Sequence, residues 1–154
     1  VSGETVHMPQ NFIVRIGTPF QDLIEAAGGL TDATERVVSG GPMMGFAQFD
    51  LSVPVTKGTN AVTILGVKNR VAVSDSPCIR CGKCAEACPM GLEPFLLNKY
   101  ARNNMMDELE ENAVQDCIEC GCCLYSCPAN IPLLDIIRLA KGDVIKIIRG
   151  RGQR

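Results

Sequence analysis

Nine cysteines stand in this chain of 154 residues, and eight of them fall into two copies of one spacing. The first copy is Cys78-x2-Cys81-x2-Cys84-x3-Cys88-Pro89 and the second is Cys117-x2-Cys120-x2-Cys123-x3-Cys127-Pro128, offset by 39 residues throughout. Each is the ligand run of a bacterial-type [4Fe–4S] cluster. Three thiolates at steps of three residues wrap a tight turn around three irons of a cubane. The proline that follows has no N–H to donate and turns the chain away before the fourth cysteine can close on the same cube. In paired runs that fourth cysteine ligates the other cluster. The spacing therefore predicts Cys78, Cys81, Cys84 and Cys127 around one cluster, and Cys117, Cys120, Cys123 and Cys88 around the second.

Two plainer readings compete. Disulfides suit a small secreted domain, but no signal peptide is visible and nine is an odd count. Zinc takes four ligands per site, usually from two separated C-x2-C pairs rather than one run of four. Cys122 lies outside the pattern. It could report redox state or substitute as a ligand, and the preferred reading is a small apolar filler beside the cluster.

Composition sets outer bounds. The length allows one medium domain or two small ones. Hydrophobic residues make up 46% of the chain, yet no apolar run approaches the roughly 18 residues that a membrane span needs. With 15 basic and 17 acidic residues the formal net charge is −2, which gives no sign of general nucleic-acid binding. Thiolate-held clusters and an odd thiol count point to a reducing cytoplasm. The chain opens on Val1-Ser2-Gly3 without an initiator methionine, so it is expected to be a piece of a longer polypeptide.

The elements that must position the cysteines divide into two halves, residues 1–72 and 73–154. The first half has no cysteine and shows four β-type runs, Asn11–Ile16, Arg36–Ser39, Ala61–Leu65 and Arg70–Val73. A helix is signalled between the first two, with Thr18 as N-cap, Pro19 as first helical position and Gln21 as capping-box partner. Leu23, Ile24, Ala26 and Ala27 form its apolar stripe and Gly28-Gly29 ends it. This predicts a small α+β unit with one helix across a sheet. The second half reads as mainly helical, with helices over 92–102, over about Asp107–Gln115, and from Pro132 through Ala140. A long helical connection from Pro89 to Asp116 fits the helical type of dicluster ferredoxin, and the 39-residue offset makes the ligand runs a twofold repeat.

Other candidates are weaker. Gly40-Gly41-Pro42-Met43-Met44-Gly45 could bring backbone close to a flavin, a cluster or a partner, but the favoured reading is a turn whose methionines pack inward. Val55–Asn60 could hold an anion at Lys57, though a surface turn is the simpler reading. His7 is the only histidine, and no catalytic set surrounds it. The tail carries Arg138, Lys141, Lys146, Arg149, Arg151 and Arg154 among Ile and Leu residues. It reads equally as a basic amphipathic helix for an anionic membrane or acidic partner and as an ordinary terminal helix. Arg80, Lys83, Lys99 and Arg102 near the first run would raise a cluster's potential, and Asp116, Glu119 and Glu86 would lower it.

The order of these pieces resembles the C-terminal portion of the C subunit of the Rnf electron-transport complex. The resemblance covers essentially the whole chain. It rests on Gly17-Thr18-Pro19, Gly40–Gly45, Pro54–Thr59, Pro77–Cys84 and Asp116–Gly121. It implies a small β-grasp domain of the soluble-ligand-binding (SLBB) type over 1–72, followed by a mainly helical dicluster ferredoxin domain over 73–154. It further implies the function of relaying single electrons through two [4Fe–4S] clusters within an ion-translocating ferredoxin:NAD⁺ oxidoreductase. FMN and NADH are then expected only on a preceding module absent from this chain. Partners would be other subunits of the bacterial complex, with the chain peripheral on the cytoplasmic face of the cell membrane and no nucleic acid involved. Two alternatives have the same cysteines: a soluble Rnf-like electron donor resembling cobalamin reductase or the proline reductase-associated protein, and a structural iron–sulfur interaction domain.

Overall fold

A computed structural model describes residues 1–67 and 76–152. The chain falls into two compact units, Val1–Arg70 and Val71–Arg154.

The first unit is a mixed four-stranded sheet in the order β1-β4-β2-β3. Its strands are β1 (Ser2–Gly3), β2 (Thr34–Ser39), β3 (Phe46–Gln48) and β4 (Val62–Gly66). β4 is central, parallel to β1 and antiparallel to β2, with Val37 opposite Ile64 and Ser39 opposite Val62. One helix, α1 (Phe20–Ala26), lies on the sheet and closes a core of Phe20, Leu23, Ile24, Ala27, Val37, Val62 and Ile64. The expected strands at Arg36–Ser39 and Ala61–Leu65 thus form, as β2 and β4. The run Arg70–Val73 lies outside the described residues.

Two local expectations are corrected. Asn11–Ile16 forms no strand: Ile13, Val14 and Ile16 are exposed and only Phe12 touches the core, so its alternation has no sheet to bury against. At α1, Pro19 is the cap rather than the first helical residue, and no side chain caps the end. The Thr18 hydroxyl donates back to the Arg15 carbonyl, and Gln21 bonds Glu25 one turn on. The C-terminal signal holds, since Gly28 and Gly29 take positive φ of 85° and 83°.

The second unit is helical: α2 (Lys83–Glu86), α3 (Pro94–Arg102), α4 (Met106–Glu111), a 3-10 turn (Val114–Asp116), α5 (Cys122–Tyr125) and α6 (Leu133–Arg151). The helix expected over Asp107–Gln115 is split, because Ala113 enters the left-handed region at φ 54° and restarts the chain as the 3-10 turn. Pro132 caps α6, which runs on to Arg151, well past Ala140. α6 presents Leu133, Ile137, Ala140 and Val144 to Leu97 of α3, Leu109 of α4 and Val114. That shared core is the floor on which both cysteine runs rest.

Candidate iron–sulfur centre

The 39-residue repeat extends from the cysteine spacing into the backbone. Within the first run Arg80 and Gly82 have φ of 56° and 77°, and their counterparts Glu119 and Gly121 have 57° and 81°. α2 and α5 are the same four positions of each copy, and their C-caps Ala87 and Ser126 share φ −80° and ψ −7°. Equivalent hydrogen bonds follow: Cys88 N–H to Ala85 O matches Cys127 N–H to Leu124 O, and Gly91 N–H to Cys88 O matches Asn130 N–H to Cys127 O. A left-handed residue between the first two cysteines folds the loop back so that thiols and amides face one side. A non-glycine there costs about 1–2 kcal/mol, and the fold accepts that cost in both copies.

The loops enclose two hollows. One is lined by Cys117, Cys120 and Cys123 together with Cys88 from the other run. The second is lined by Cys78, Cys81 and Cys84 together with Cys127. The fourth cysteine of each run thus faces the other run's hollow, carried there by the short helix and the turn at Cys-Pro. Leu97, Leu134 and Ile137 wall the first hollow, and Phe95, Ile131 and Leu133 wall the second. Four thiols line each apolar hollow, a donor set that fits a [4Fe–4S] cluster in each.

Burial governs the thiols. It pushes Cys84 and Cys117 above the ordinary thiol value, and it drives Cys123 up to about 12, with the charge of Cys117 adding to it. Burial thus favours the protonated form of Cys84, Cys117 and Cys123, and iron bound there would supply the positive charge that draws the thiolates out. Cys122 lines neither hollow. It opens α5 half-exposed, and a hydrogen bond with Cys120, then burial, raises its thiol.

Electrostatics breaks the pseudo-symmetry. Around the second run Lys141 Nζ donates to the Cys117 carbonyl at 2.7 Å and to Glu119 Oε1 at 3.0 Å, while Arg138 Nε donates to Glu119 Oε2 at 2.9 Å. Partial burial works to raise the Glu119 carboxyl. The hydrogen bonds and charge of Lys141, and then of Arg138, outweigh it and hold the group below its usual value. Glu119 is therefore ion-paired, and Lys141 and Arg138 offset its negative charge beside the second ligand loop. Arg138 and Lys141 of the tail, whose sequence reads equally as a membrane- or partner-facing basic helix and as an ordinary terminal helix, are the polar clamp on the second ligand loop. Lys146 pairs with Asp143, and Arg151 pairs with Asp107 and Glu110 of α4. Four of the tail's basic residues are thereby engaged within the unit, which favours the ordinary helix over a free basic face.

The remaining candidates resolve simply. Val55–Asn60 contains a surface turn, with Thr59 Oγ1 accepting from Thr56 N–H. Met43 and Met44 are not packed inward: they are 38% and 50% exposed.

A mixed sheet under one helix, followed by a helical unit with two crossed thiol hollows, defines an SLBB domain joined to a dicluster iron–sulfur domain. Family models agree: the SLBB domain model matches residues 1–47 and the 4Fe-4S dicluster domain model matches residues 70–128. The chain is related to the C subunit of the ion-translocating oxidoreductase complexes of the Rnf type. It is 45% identical over 144 residues, 94% of its length, to the C subunit of the Na(+)-translocating ferredoxin:NAD(+) oxidoreductase complex of Acetobacterium woodii. It is 44% identical over 142 residues, 92% of its length, to the C subunit of the ion-translocating oxidoreductase complex of Rhodobacter capsulatus. The proton-translocating counterpart of Clostridium ljungdahlii is 41% identical over 111 residues, 72% of the chain. The chain spans 32%, 27% and 24% of these three relatives, so it corresponds to about a third of their length or less. No helix among the described residues is long and apolar enough to cross a membrane.

Proposed function

We propose that this chain relays single electrons through two [4Fe–4S] clusters as part of the C subunit of an Rnf-type ferredoxin:NAD⁺ oxidoreductase. Cys78, Cys81, Cys84 and Cys127 hold one cluster, and Cys117, Cys120, Cys123 and Cys88 hold the other. The observation that carries this reading is the crossed lining of the two hollows, which puts both sets of thiols over one shared apolar core. Such clusters supply one-electron chemistry without proton transfer, and the protein's part is to hold them, tune them and exclude water. The boundary between the domains falls near residue 72, and the first half serves as scaffold or docking module. FMN and NADH bind elsewhere in the complete polypeptide. Its partners are the other subunits of the complex, at the cytoplasmic face of the membrane.

The test is an EPR-monitored redox titration of the iron-loaded chain. The expected result is two reversible [4Fe–4S] signals, within the span of about −700 to +450 mV open to such clusters. Absence of any reversible signal from a chain with full iron content would leave a structural role and overturn the proposal.

A further inference from the structure

The two ligand loops share a backbone and differ in what surrounds them. Residues Ser76–Gly82 of the first loop are all exposed, including Cys78 and Cys81, whereas Cys117, Cys120 and Cys123 of the second are half-buried. Arg80 and Lys83 rise from the first loop and the start of α2, and both are exposed. Lys99 and Arg102 of α3 stand in the repeat where Arg138 and Lys141 of α6 stand, the residues that reach the second loop. Arg102 lines a shallow depression with Cys78 and the buried Asn98, and its Nε donates to Asn98 Oδ1 at 3.2 Å.

In the second copy the cations meet an acid in the loop, Glu119. In the first copy the matching residue is Arg80, another cation, and among the described residues no carboxylate pairs with Arg80, Lys83, Lys99 or Arg102. Glu86 and Glu93 are the acids of this stretch, so cations exceed them. Ile79, beside Arg80 in the first loop, is 64% exposed. The contrast is informative because both copies form the same kind of hollow. Holding a cluster does not require four unpaired cations, since the second copy does without them.

We propose that the face formed by Arg80, Lys83, Lys99 and Arg102 around the exposed Cys78–Cys81 edge is a docking surface for a redox protein whose own centre is ringed by carboxylates. This rests on the electron-relay reading and adds which cluster meets the partner and by what chemistry. An exposed apolar residue inside a charged ring is the composition of a transient interface, where opposite charge speeds encounter and sets orientation. Charges in such a ring raise association rates by about 10- to 1,000-fold at low salt.

The test is stopped-flow oxidation of the pre-reduced, iron-loaded chain by two haem probes: cytochrome b5, with an acidic haem edge, and cytochrome c, with a basic one. In each, one electron leaves a reduced cluster and converts ferric to ferrous haem. The expected result for Lys83→Glu/Lys99→Glu is at least a tenfold slower reaction with cytochrome b5 at low salt and a reaction with cytochrome c that is no slower. Lys146→Glu/Arg149→Glu, the same charge change on the tail, is expected to leave the cytochrome b5 rate within twofold. Should the reversal variant load iron poorly, Lys83→Gln/Lys99→Gln is expected to show the same ordering at smaller size. Equal slowing with both probes means a changed potential or fold and overturns the docking surface, as does an unchanged cytochrome b5 rate. A chain that cannot be reduced at all would instead refute the electron-relay reading, and this proposal with it.

Discussion

Lys141 and Cys117 are joined across the second unit by a 2.7 Å hydrogen bond from the lysine Nζ to the cysteine carbonyl, linking the middle of α6 to the first ligand of the second run. The same ammonium holds Glu119, so one residue fixes both ends of a strained left-handed turn. The lysine is only 18% exposed, which leaves its charge poorly screened.

Replacing Lys141 by Met is therefore expected to lower the reduction potential of the cluster held by Cys117, Cys120 and Cys123. Loss of a nearby positive charge worth roughly 1–2 kcal/mol corresponds to about 40 mV per kcal/mol for one electron. Lys141→Arg restores the charge and is expected to recover most of the shift. EPR potentiometry reads both values. A potential for Lys141→Met equal to that of the parent chain would show that the clamp is structural only.

Cys88→Ser tests the crossed assignment. Cys88 follows α2, directly after the first three cysteines, yet it lines the hollow of the second run. The expected outcome is damage to the cluster bound by Cys117, Cys120 and Cys123, with the Cys78 cluster intact and iron content below the eight atoms of a full chain. Mössbauer or EPR spectra that show loss of only the Cys78 cluster would reverse the assignment.

Cys122→Ala is expected to leave about eight irons per chain, because Cys122 lines neither hollow. Its place at the start of α5 corresponds to Lys83 in the first copy, a residue with no ligand chemistry toward iron–sulfur clusters. Iron analysis giving substantially fewer atoms would make Cys122 a ligand.

How much of this was legible beforehand depended on the range of each signal. The crossed thiol sets are read from spacing within fifty residues, and each hollow is lined by three cysteines of one run and one of the other. Gly28-Gly29 stopped α1 as read, because a C-terminal glycine acts through its own φ. Asn11–Ile16 alternates without forming a strand, with Ile13, Val14 and Ile16 exposed and Phe12 packed on the core. Met43 and Met44 are exposed although the sequence reads them as inward, because a turn signal fixes the backbone and leaves the side-chain direction to the surrounding packing. The roles of Arg138 and Lys141 were hidden by distance along the chain: Lys141 is 22 residues from Glu119. The repeat offered a clue, because a shift of 39 residues aligns Lys99 and Arg102 with Arg138 and Lys141, and Arg80 with Glu119.

The hairpin of the first unit supplies the last prediction. Gly45 lies just before β3, and a Cβ there would overlap Val38 Cγ1, 2.7 Å from the Gly41 and Ser39 carbonyl oxygens. Two of these three neighbours are backbone and the third belongs to a buried core strand, so none can swing aside cheaply. Gly45→Ala is expected to cost about 1–3 kcal/mol, the range of overpacking in a filled site. Gly41→Ala, where no atom lies within 4 Å of the added carbon, serves as the control and is expected to cost far less. Denaturant unfolding of the two variants against the parent chain measures the difference. Iron content should stay the same in both, because the strain is confined to the cysteine-free unit. An undiminished midpoint for Gly45→Ala would mean that the hairpin opens to admit the methyl group without cost.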